Sequence, residues 1–540
     1  MVLLLLLLAF LINFSSVLFL QIFGLDDFVF HETSYPLLYA FNNLNNFSLM
    51  SPTFLGRETA PFGVSLIYTF LLLIGMDLNY FTHLVGLLIY DLLILLLILS
   101  FKFLHLLSIR STLLLGNFIF LYFNVDVTTY AWKDQVWIWP MNSYGILDFY
   151  SIFLILLLVI AIKKIYVNNN KNLELVVLSI CIFLFLINLN GTRSFLTITV
   201  PTMLSLLVLI LKNHVLFKVH LKRNFRFLLG ILISTSFGLI CHRLMWGNFP
   251  QPNQDSHLNI ALKNSNQFTL NLISFPQLWF ETFDALPLKA VSVFSFNFIY
   301  LMLKFTLALF IIAAPLFFIN RFNSSLLDVQ LVKFKFLFLI PIIIVPYIFS
   351  NNDYFARYLI PLIYVIFIYL AFISKYINNY IILGLALTFL FLGLYNLEGN
   401  KQYTKSTFNN SYLYNSTKLL ELNKVKKGYF IPYSNGFLSI NLLSNGKIVS
   451  APIDIGKNNF ISHYHADKNW YEYRNNTKTF LYVSSWFNEE LNIAQGKLTD
   501  KLIKKIDSDK IQFKIYQLDG GQLYIFDEDI VNYFDLNLPQ

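Results

Sequence analysis

The first residues with obvious chemical potential are two adjacent carboxylates, Asp26 and Asp27, in the stretch QIFGLDDFVFHE. They directly follow a long apolar run, and His31 and Glu32 come shortly after them. A carboxylate at such a point can act as a general base for a hydroxyl or amine, or hold a divalent cation that neutralises a phosphate leaving group. Adjacent side chains on a helix point about 100° apart, so we expect only one of the pair to face a site. The alternative is an ordinary acidic helix end.

A second acidic stretch, NVDVTTYAWKDQVWIWPMNSYG, contains Asp126 among several tryptophans and tyrosines. Aromatic rings at the membrane surface usually form an interfacial belt. They are also suited to stacking on the face of a sugar, and Tyr130 and Trp132 are our candidates for that contact. Asp126 is then a second carboxylate across the same cavity.

Cationic side chains recur at the predicted outer ends of apolar runs. Arg193, Arg243 and Arg357 either snorkel to the interface or converge to clamp a phosphate through paired hydrogen bonds. Arg57 and Glu58 are further candidates for substrate binding, from the first predicted outer segment. Lys304 lies inside an apolar run, where a charge is costly unless it faces a polar cavity or snorkels.

Composition identifies the elements that must position these residues. Of the 540 residues, 56% are hydrophobic and only 13% are charged, and the mean hydropathy is +0.61. These values are typical of a polytopic membrane protein. The net charge of +9 comes from short basic clusters between apolar runs, which topology explains without a nucleic-acid partner. Cys181 and Cys241 are far apart in apolar segments, so we predict neither a disulfide nor a metal-thiolate site. His463 and His465 lack a nearby third ligand, and we favour a surface loop there over a zinc site.

Eleven apolar runs are long enough to predict membrane-spanning helices, some of them marginally. The first is read as a retained span because it has no basic n-region and no small-residue cleavage site. The runs lie near residues 2–23, 84–101, 109–124, 149–162, 173–190, 195–211, 227–241, 295–319, 336–350, 359–374 and 379–396.

A further apolar run, Pro61 to Gly75, is only 15 residues long, and charge decides how it is interpreted. If this run lies flat in the interface near residues 61–75, the basic clusters fall on the cytoplasmic side with the N-terminus. The loops between spans then place nearly all their acids outside. The basic residues assigned to inner loops are Lys102, Arg110, Lys163, Lys164, Lys171, Lys212, Lys218, Lys222, Arg223, Arg226, Arg321, Lys333, Lys335 and Lys375.

After Leu397 the composition becomes that of a soluble domain. Short strand-like runs (KKGYFIPYS, GKIVSAPID, KTFLYVSSW, IQFKIYQLD and GQLYIFDED) alternate with two stretches of helical spacing. We therefore predict a membrane domain over residues 1–396 and a small extracytoplasmic α/β domain over residues 397–540.

Together these features resemble the GT-C superfamily of integral-membrane glycosyltransferases. The shared features are an acidic pair after the first span, an interfacial helix like PFGVSLIYTFLLLIG, a second acidic outer loop, RYLIPL at the start of a late span, and an outer C-terminal domain. The closest similarity is to the bacterial aminoarabinose and mannosyl transferase branches. The segment GYFIPYSNGFLSINLLSNGKIVSAPI also looks like the tail domain of some members.

The resemblance implies a polytopic α-helical enzyme of the bacterial inner membrane that uses a polyprenyl-phosphate-linked sugar donor and an extracytoplasmic acceptor, which is a lipid, glycan or protein. It implies that Asp26 or Asp27 is the base or lies next to a metal, that Asp126 is a second acid, and that Arg357 contacts the donor phosphate. Some members need Mg²⁺ or Mn²⁺, for which Asp26 and Asp126 are the candidate ligands, and others need no metal.

Three other functions stay open at this stage. An O-antigen-type polymerase or ligase also has outer arginines but relies on a large middle outer loop, and the loop 242–290 is moderately long. A transporter needs polar residues at the membrane midplane, and apart from Lys304 and Asp91 the spans are expected to be bare. The third alternative is a structural membrane protein whose tail binds cell-wall partners.

Overall fold

The computed structural model shows a largely helical chain with one small mixed sheet. Every structural statement below concerns the residues that the structure describes. These are residues 1–23, 35–45, 65–122, 145–166, 173–189, 191, 194–212, 221–246, 265–283, 285–286, 291–321, 327–349, 359–407, 412–431, 436–455, 460–462, 468–484, 489–518, 521–534 and 536.

Each of the eleven predicted apolar runs coincides with a helix. Short helices also occur at Tyr35–Asn45 (α2) and Ser65–Leu73 (α3), and α10 occupies Ser265–Thr282. The helices that match the apolar runs are α1 (Val2–Phe23), α4 (Tyr80–Phe103), α5 (Ile109–Tyr122), α6 (Gly145–Tyr166), α7 (Leu173–Leu189), α8 (Val200–Lys212, preceded by a π-helical turn, Phe195–Thr199), α9 (Leu221–Trp246), α11 (Phe296–Arg321), α12 (Leu327–Phe349), α13 (Ile360–Ile373) and α14 (Asn379–Thr407).

Seven of the described helices are long and apolar enough to cross a membrane. They are α1, α4, α8 with its π-helical turn, α9, α11, α12 and α14. Helices α5, α7 and α13 are apolar but shorter. The chain is therefore a multi-pass membrane protein by length and composition.

Several helices extend beyond the predicted spans: α9 begins six residues early, α14 ends 11 residues late, and the start of α12 is also wrong. Helix α12 begins at Leu327, nine residues before the predicted start of that span, so Lys333 and Lys335 belong to the helix rather than to a loop. Lys335 is fully buried. The error arose because charged residues in the sequence were taken to mark the end of a span, whereas here neighbouring helices cover the charge.

In the described part of the run Pro61 to Gly75, which begins at Ser65, the structure has a nine-residue helix, α3. At about 1.5 Å per residue a helix of this length extends roughly 13 Å, less than half the hydrocarbon thickness of a bilayer. Its Tyr68 ring packs directly on Gly86 of α4, where a Cβ would collide with the ring. The Tyr68 hydroxyl lies 2.9 Å from Nδ1 of His83.

Helix α1 is held to its neighbours by amides as well as apolar side chains. Asn13 Nδ2 donates to Asn117 Oδ1 of α5 at 3.0 Å, and Asn117 Nδ2 donates to the Leu6 carbonyl at 3.0 Å. Both asparagines are completely buried. The spans are therefore not as bare of polar groups as expected, because amides inside the helix bundle bond to one another and to backbone carbonyls.

The C-terminal region contains a small sheet with helices, and one of its strands was not predicted. Five strands coincide with the predicted runs: β1 (Lys427–Ile431), β2 (Val449–Ile455), β4 (Thr479–Ser484), β5 (Phe513–Leu518) and β6 (Gly521–Phe526). The additional strand is β3 (Phe460–Ser462), and helices α15 (Tyr412–Leu422), α16 (Gly436–Leu443) and α17 (Glu489–Ser508) complete the domain. The strand order is β3-β2-β1-β4-β6-β5, in which β2, β1 and β4 are parallel and the other pairings are antiparallel.

The chain divides into two compact units. The first contains Met1–Ile22, Leu88–Gly247 and Ser256–Tyr403, and holds most of the apolar helices. The second contains Phe23–Leu87, Asn248–Asp255 and Thr404–Gln540. Within the second unit Leu78 packs against Gly446, since a Cβ on that glycine would lie 3.2 Å from Leu78 Cδ2.

Candidate functional site

An aromatic wall forms where α5 meets α13 in the first unit. The Phe118 and Phe367 rings stack with centroids 5.1 Å apart, and the Tyr122 ring lies 5.9 Å from Phe367. Tyr122 ends α5, and its hydroxyl oxygen is buried. The wall therefore combines apolar faces with one phenol.

Lys304 of α11 faces this wall and is buried, with 6% of its surface exposed. Its Nζ lies 4.7 Å from the centroid of the Tyr300 ring, one helical turn earlier. The Tyr300 hydroxyl donates to Asn396 Oδ1 of α14 at 2.7 Å, and its ring stacks on Tyr395 with centroids 4.5 Å apart. A cation on the face of a fixed aromatic ring is attracted by the ring's quadrupole, so Tyr300 positions the Lys304 amine.

The end of α10 closes a third side. Thr282 is the last residue of that helix, and Phe283 follows it against Tyr122, with ring centroids 5.6 Å apart. Trp279 fixes α10 to α11, because its Nε1 donates to the Ala308 carbonyl at 3.1 Å in a buried setting. Four helices thus converge on one point.

These residues enclose a cavity of about 30 Å³, lined by Phe118, Leu121, Tyr122, Thr282, Phe283, Lys304, Leu307, Ile311 and Phe367. One water molecule needs roughly 10–15 Å³ by the same measure. The cavity therefore has room for a small polar group, such as the oxygens of a phosphate or carboxylate, and not for a sugar ring.

The chemistry available is the binding of an anion. Lys304 supplies N–H donors and a positive charge, and Tyr122 and Thr282 add hydroxyl groups to the described lining. In a water-poor site a charge-assisted hydrogen bond is stronger than at the surface.

Besides Lys304, Arg243 is the candidate substrate or catalytic residue selected from sequence that the structure describes. It lies in the last turn of α9 with an exposed side chain, and it does not line the Lys304 cavity. The neighbouring His242 ring lies 2.9 Å, through Nδ1, from the Leu189 carbonyl of α7. The other candidates lie outside the described residues; they are Asp26, Asp27, Asp126, Arg57, Glu58, Tyr130, Trp132, Arg193 and Arg357.

The sequence pointed to Lys304 but not to its surroundings. Tyr122, Thr282 and Tyr300 have no distinguishing local pattern, and Tyr122 reaches the site from a helix remote from α11 in sequence. The only usable signal was a lysine within an apolar run. No group of three or more His, Cys, Asp or Glu side chains is placed to hold a metal in the described part of the chain.

A second polar cluster lies in the C-terminal domain around Asp529. Its carboxylate accepts hydrogen bonds from Lys427 Nζ at 3.0 Å and from the Tyr429 hydroxyl at 2.6 Å. The backbone N–H groups of Arg474 and Val531 add bonds of 2.9 and 3.1 Å. Both charged side chains are buried, with 1% of Lys427 and none of Asp529 exposed. With all its lone pairs engaged, this carboxylate binds β1 to the segment that follows β6 and is not a site for a ligand.

The cluster also shifts ionisation in the domain. Burial, followed by the nearby Asp529 charge and its hydrogen bond, raises the pKa of Tyr429 well above its usual value. Burial lowers the pKa of Lys427, although Asp529 opposes that shift.

No protein-family model matches this chain, and no curated protein shows a significant sequence match to it.

Proposed function

We propose that the protein is a membrane glycosyltransferase that moves a sugar from a polyprenyl-phosphate-linked donor to an extracytoplasmic acceptor. The observation that carries the proposal is the buried Lys304 amine, which lines a small cavity together with the Tyr122 and Thr282 side chains. An intramembrane cation held in this way fits the phosphate of a lipid whose tail lies among the helices. The sugar then lies beyond the cavity, which has no room for its ring.

Two sequence-selected residues are close to this cavity along the chain. Asp126 follows Tyr122 by four residues, and Arg357 precedes Ile360, the first residue of α13, by three. This proximity in sequence supports the roles implied by the GT-C resemblance, with Asp126 as a second acid and Arg357 as a phosphate contact. Arg193 and Arg243 remain further candidates for the donor, and Arg57, Glu58, Tyr130 and Trp132 for the sugar and acceptor.

In the proposed reaction a carboxylate, Asp26 or Asp27, removes the proton from an acceptor O–H or N–H group. The acceptor atom attacks the anomeric carbon of the sugar with inversion. The bond from that carbon to the phosphate oxygen breaks, and its electron pair leaves with polyprenyl phosphate. Lys304 stabilises the charge that develops on the phosphate. Mg²⁺ or Mn²⁺, held by Asp26 and Asp126, would supply further neutralisation of that charge.

The same proposal includes an eleven-span topology with a cytoplasmic N-terminus and an extracytoplasmic C-terminal domain, in the bacterial inner membrane. The contact between Leu78 and Gly446 supports it. Residues in contact within one compact unit lie on the same side of a membrane, so the chain between them must cross an even number of times. Ten of the eleven proposed spans lie between these residues, which satisfies that condition.

An O-antigen-type polymerase or ligase is the second candidate, and one observation favours it. Such enzymes rely on a large outer loop in the middle of the chain, and here the end of α10, within residues 242–290, contributes Thr282 and Phe283 to the cavity. Both candidates use an anionic lipid-linked donor. They differ in the acceptor, which is another lipid-linked glycan in a polymerase.

Replacement of Lys304 by methionine tests the proposal, because methionine keeps most of the length and apolar volume and removes the charge. Losing a hydrogen bond to a charged group costs about 1.5–3 kcal/mol, or roughly 10- to 150-fold in kcat/KM for the donor. The assay is transfer from extracted lipid-linked donor by the purified protein. Lys375→Met is the matched control, since Lys375 is exposed on the 3-10 turn after α13. Equal transfer by both variants would remove Lys304 from the donor site.

A further inference from the structure

A carboxyl group lies near the middle of the apolar helix α4. Asp91 comes eleven residues after the first residue of that helix and twelve before the last, so roughly 16–18 Å of helix lies on either side of it. None of its surface is exposed, and neither carboxyl oxygen has a hydrogen bond of ordinary geometry to a described residue. The group is therefore shielded both from water and from a described ion-pair partner.

The helices that touch α4 bring no charge to this acid. Helix α1 contacts α4 through Gln21, α3 through the Tyr68 ring on Gly86, and α13 through Phe372, whose ring centroid lies 6.4 Å from that of Phe101. None of these three helices contains a Lys, Arg, His, Asp or Glu residue. Their titratable groups are tyrosine phenols, which are ordinarily neutral near neutral pH. A counter-ion for Asp91 is therefore not supplied by α1, α3 or α13.

The basic groups of α4 itself are too distant to pair with Asp91. His83 precedes it by eight residues and Lys102 follows it by eleven, which is roughly 12 and 16 Å along the helix. The His83 ring is engaged elsewhere, since its Nδ1 lies 2.9 Å from the Tyr68 hydroxyl. An isolated carboxylate in an apolar interior is far more costly than the neutral acid. The surroundings of Asp91 therefore favour a carboxyl that keeps its proton.

Gln21 is the polar neighbour of this carboxyl. It lies two residues before the end of α1, is fully buried, and its side-chain amide interacts with Asp91. An amide has both a carbonyl oxygen and N–H donors. It can therefore accept a hydrogen bond from the protonated acid and donate one to the ionised form. A group that serves both forms is what a site needs if it is to gain and lose a proton.

We propose that Asp91, with Gln21 beside it, is a proton-binding site among the membrane helices. The proton binds to a carboxylate oxygen of Asp91, and the Gln21 carbonyl oxygen accepts its hydrogen bond. Exchange with water transfers the proton and leaves a carboxylate that the Gln21 amide N–H stabilises. Neither residue lines the Lys304 cavity, and the inference does not depend on the proposed transfer reaction.

Infrared spectroscopy of the full-length protein tests the site, because the C=O stretch of a protonated carboxyl is separate from the bands of amides and carboxylates. The protein is held near neutral pH in dodecyl maltoside, a detergent without carbonyl groups. We expect a protonated-carboxyl band that moves to lower frequency when the aspartate side-chain carboxyl is labelled with carbon-13. The band should move again when H₂O is replaced by D₂O. The first shift assigns the band to an aspartic acid, and the second shows that its proton exchanges.

Two variants assign the band to Asp91. Asp91→Asn should lose it, whereas Asp91→Glu should keep a protonated-carboxyl band that no longer responds to the aspartate label. Asp77→Asn is the matched control and should keep the labelled band, since Asp77 is exposed in the segment before α4. Absence of the band from wild type, or a labelled band that persists in both Asp91 variants, would overturn the proposal.

Two further results would also contradict a proton-binding site. A band that does not move after prolonged incubation in D₂O would make Asp91 a fixed structural acid. Loss of the band on addition of sodium chloride, but not of choline chloride, would assign the site to a metal cation.

Discussion

The buried carboxylate of Asp529 gives the sharpest test of what stabilises the C-terminal domain. Asp529→Asn keeps the size of the side chain but removes its charge, and it places an N–H₂ group where two oxygens now accept four hydrogen bonds. Lys427, which is 1% exposed, is then a buried charge without its counter-ion. Removing one partner of a buried pair typically costs about 3–5 kcal/mol.

The same substitution two residues earlier is a matched control. Asp527 pairs with Lys478 at 2.9 Å, but both side chains are about half exposed, at 53% and 48%. An exposed pair contributes roughly 0–1 kcal/mol, so Asp527→Asn should have little effect. The two variants differ in burial and not in chemistry.

Hydrogen exchange of the full-length protein measures the difference locally. Amides of β1 and β4 should exchange about 10² to 10⁴ times faster in Asp529→Asn, the equivalent of 3–5 kcal/mol if they exchange by opening of the domain. In Asp527→Asn they should exchange within about fivefold of wild type, the equivalent of up to 1 kcal/mol. Equal protection of β1 and β4 in the two variants would show that the buried pair does not stabilise the sheet.

Three further predictions concern ionisation in the C-terminal domain, the membrane topology and the acidic pair. The unfolded chain releases the Tyr429 proton near pH 10, while the folded chain, in which the pKa is raised, keeps it. The free energy of unfolding should therefore fall as pH rises above about 10. In urea titrations followed by the domain's tryptophan fluorescence, Tyr429→Phe should make that fall less steep by up to about 1.4 kcal/mol per pH unit. A cysteine introduced at Asp77 should react with an impermeant reagent from outside and one at Lys102 should not, and labelling of position 77 only from the cytoplasm would contradict the eleven-span arrangement. One of Asp26→Asn and Asp27→Asn, at the carboxylate that acts as the base, should lower the rate of sugar transfer by about 10² to 10⁴, and the other should lower it far less. Protein levels are checked by blot. Near wild-type transfer in the double variant would mean that the acidic pair is only a polar helix end.

The helices were predictable because membrane spans are selected mainly for hydrophobicity, which a single sequence displays directly. The strands of the C-terminal domain were predictable for a similar reason, since β-branched and aromatic runs alternate with turn residues. Strand β3 was missed because three residues carry no readable period. The start of α12 was misplaced because burial of Lys335 depends on neighbouring helices and not on its own segment.

The candidate site was less predictable than the fold. Lys304 was identifiable as a lysine in an apolar run, but the Tyr122 and Phe367 rings reach it from helices that are separated by more than two hundred residues in the chain. Only the packing of α5, α10, α11 and α13 brings them together. A single sequence contains no record of that packing, so the aromatic wall had no signal of its own.

The central claim, that a polyprenyl-phosphate-linked sugar is the donor, is tested most directly by mass spectrometry of lipids bound to the purified protein. The Asp26→Asn, Asp27→Asn double variant should retain an intact polyprenyl-phosphate glycoside, because donor binding does not need the base. Wild type should carry polyprenyl phosphate without the sugar, and adding Lys304→Met to the double variant should reduce the bound glycoside about tenfold or more. The absence of any polyprenyl-phosphate species from all three proteins would contradict the account.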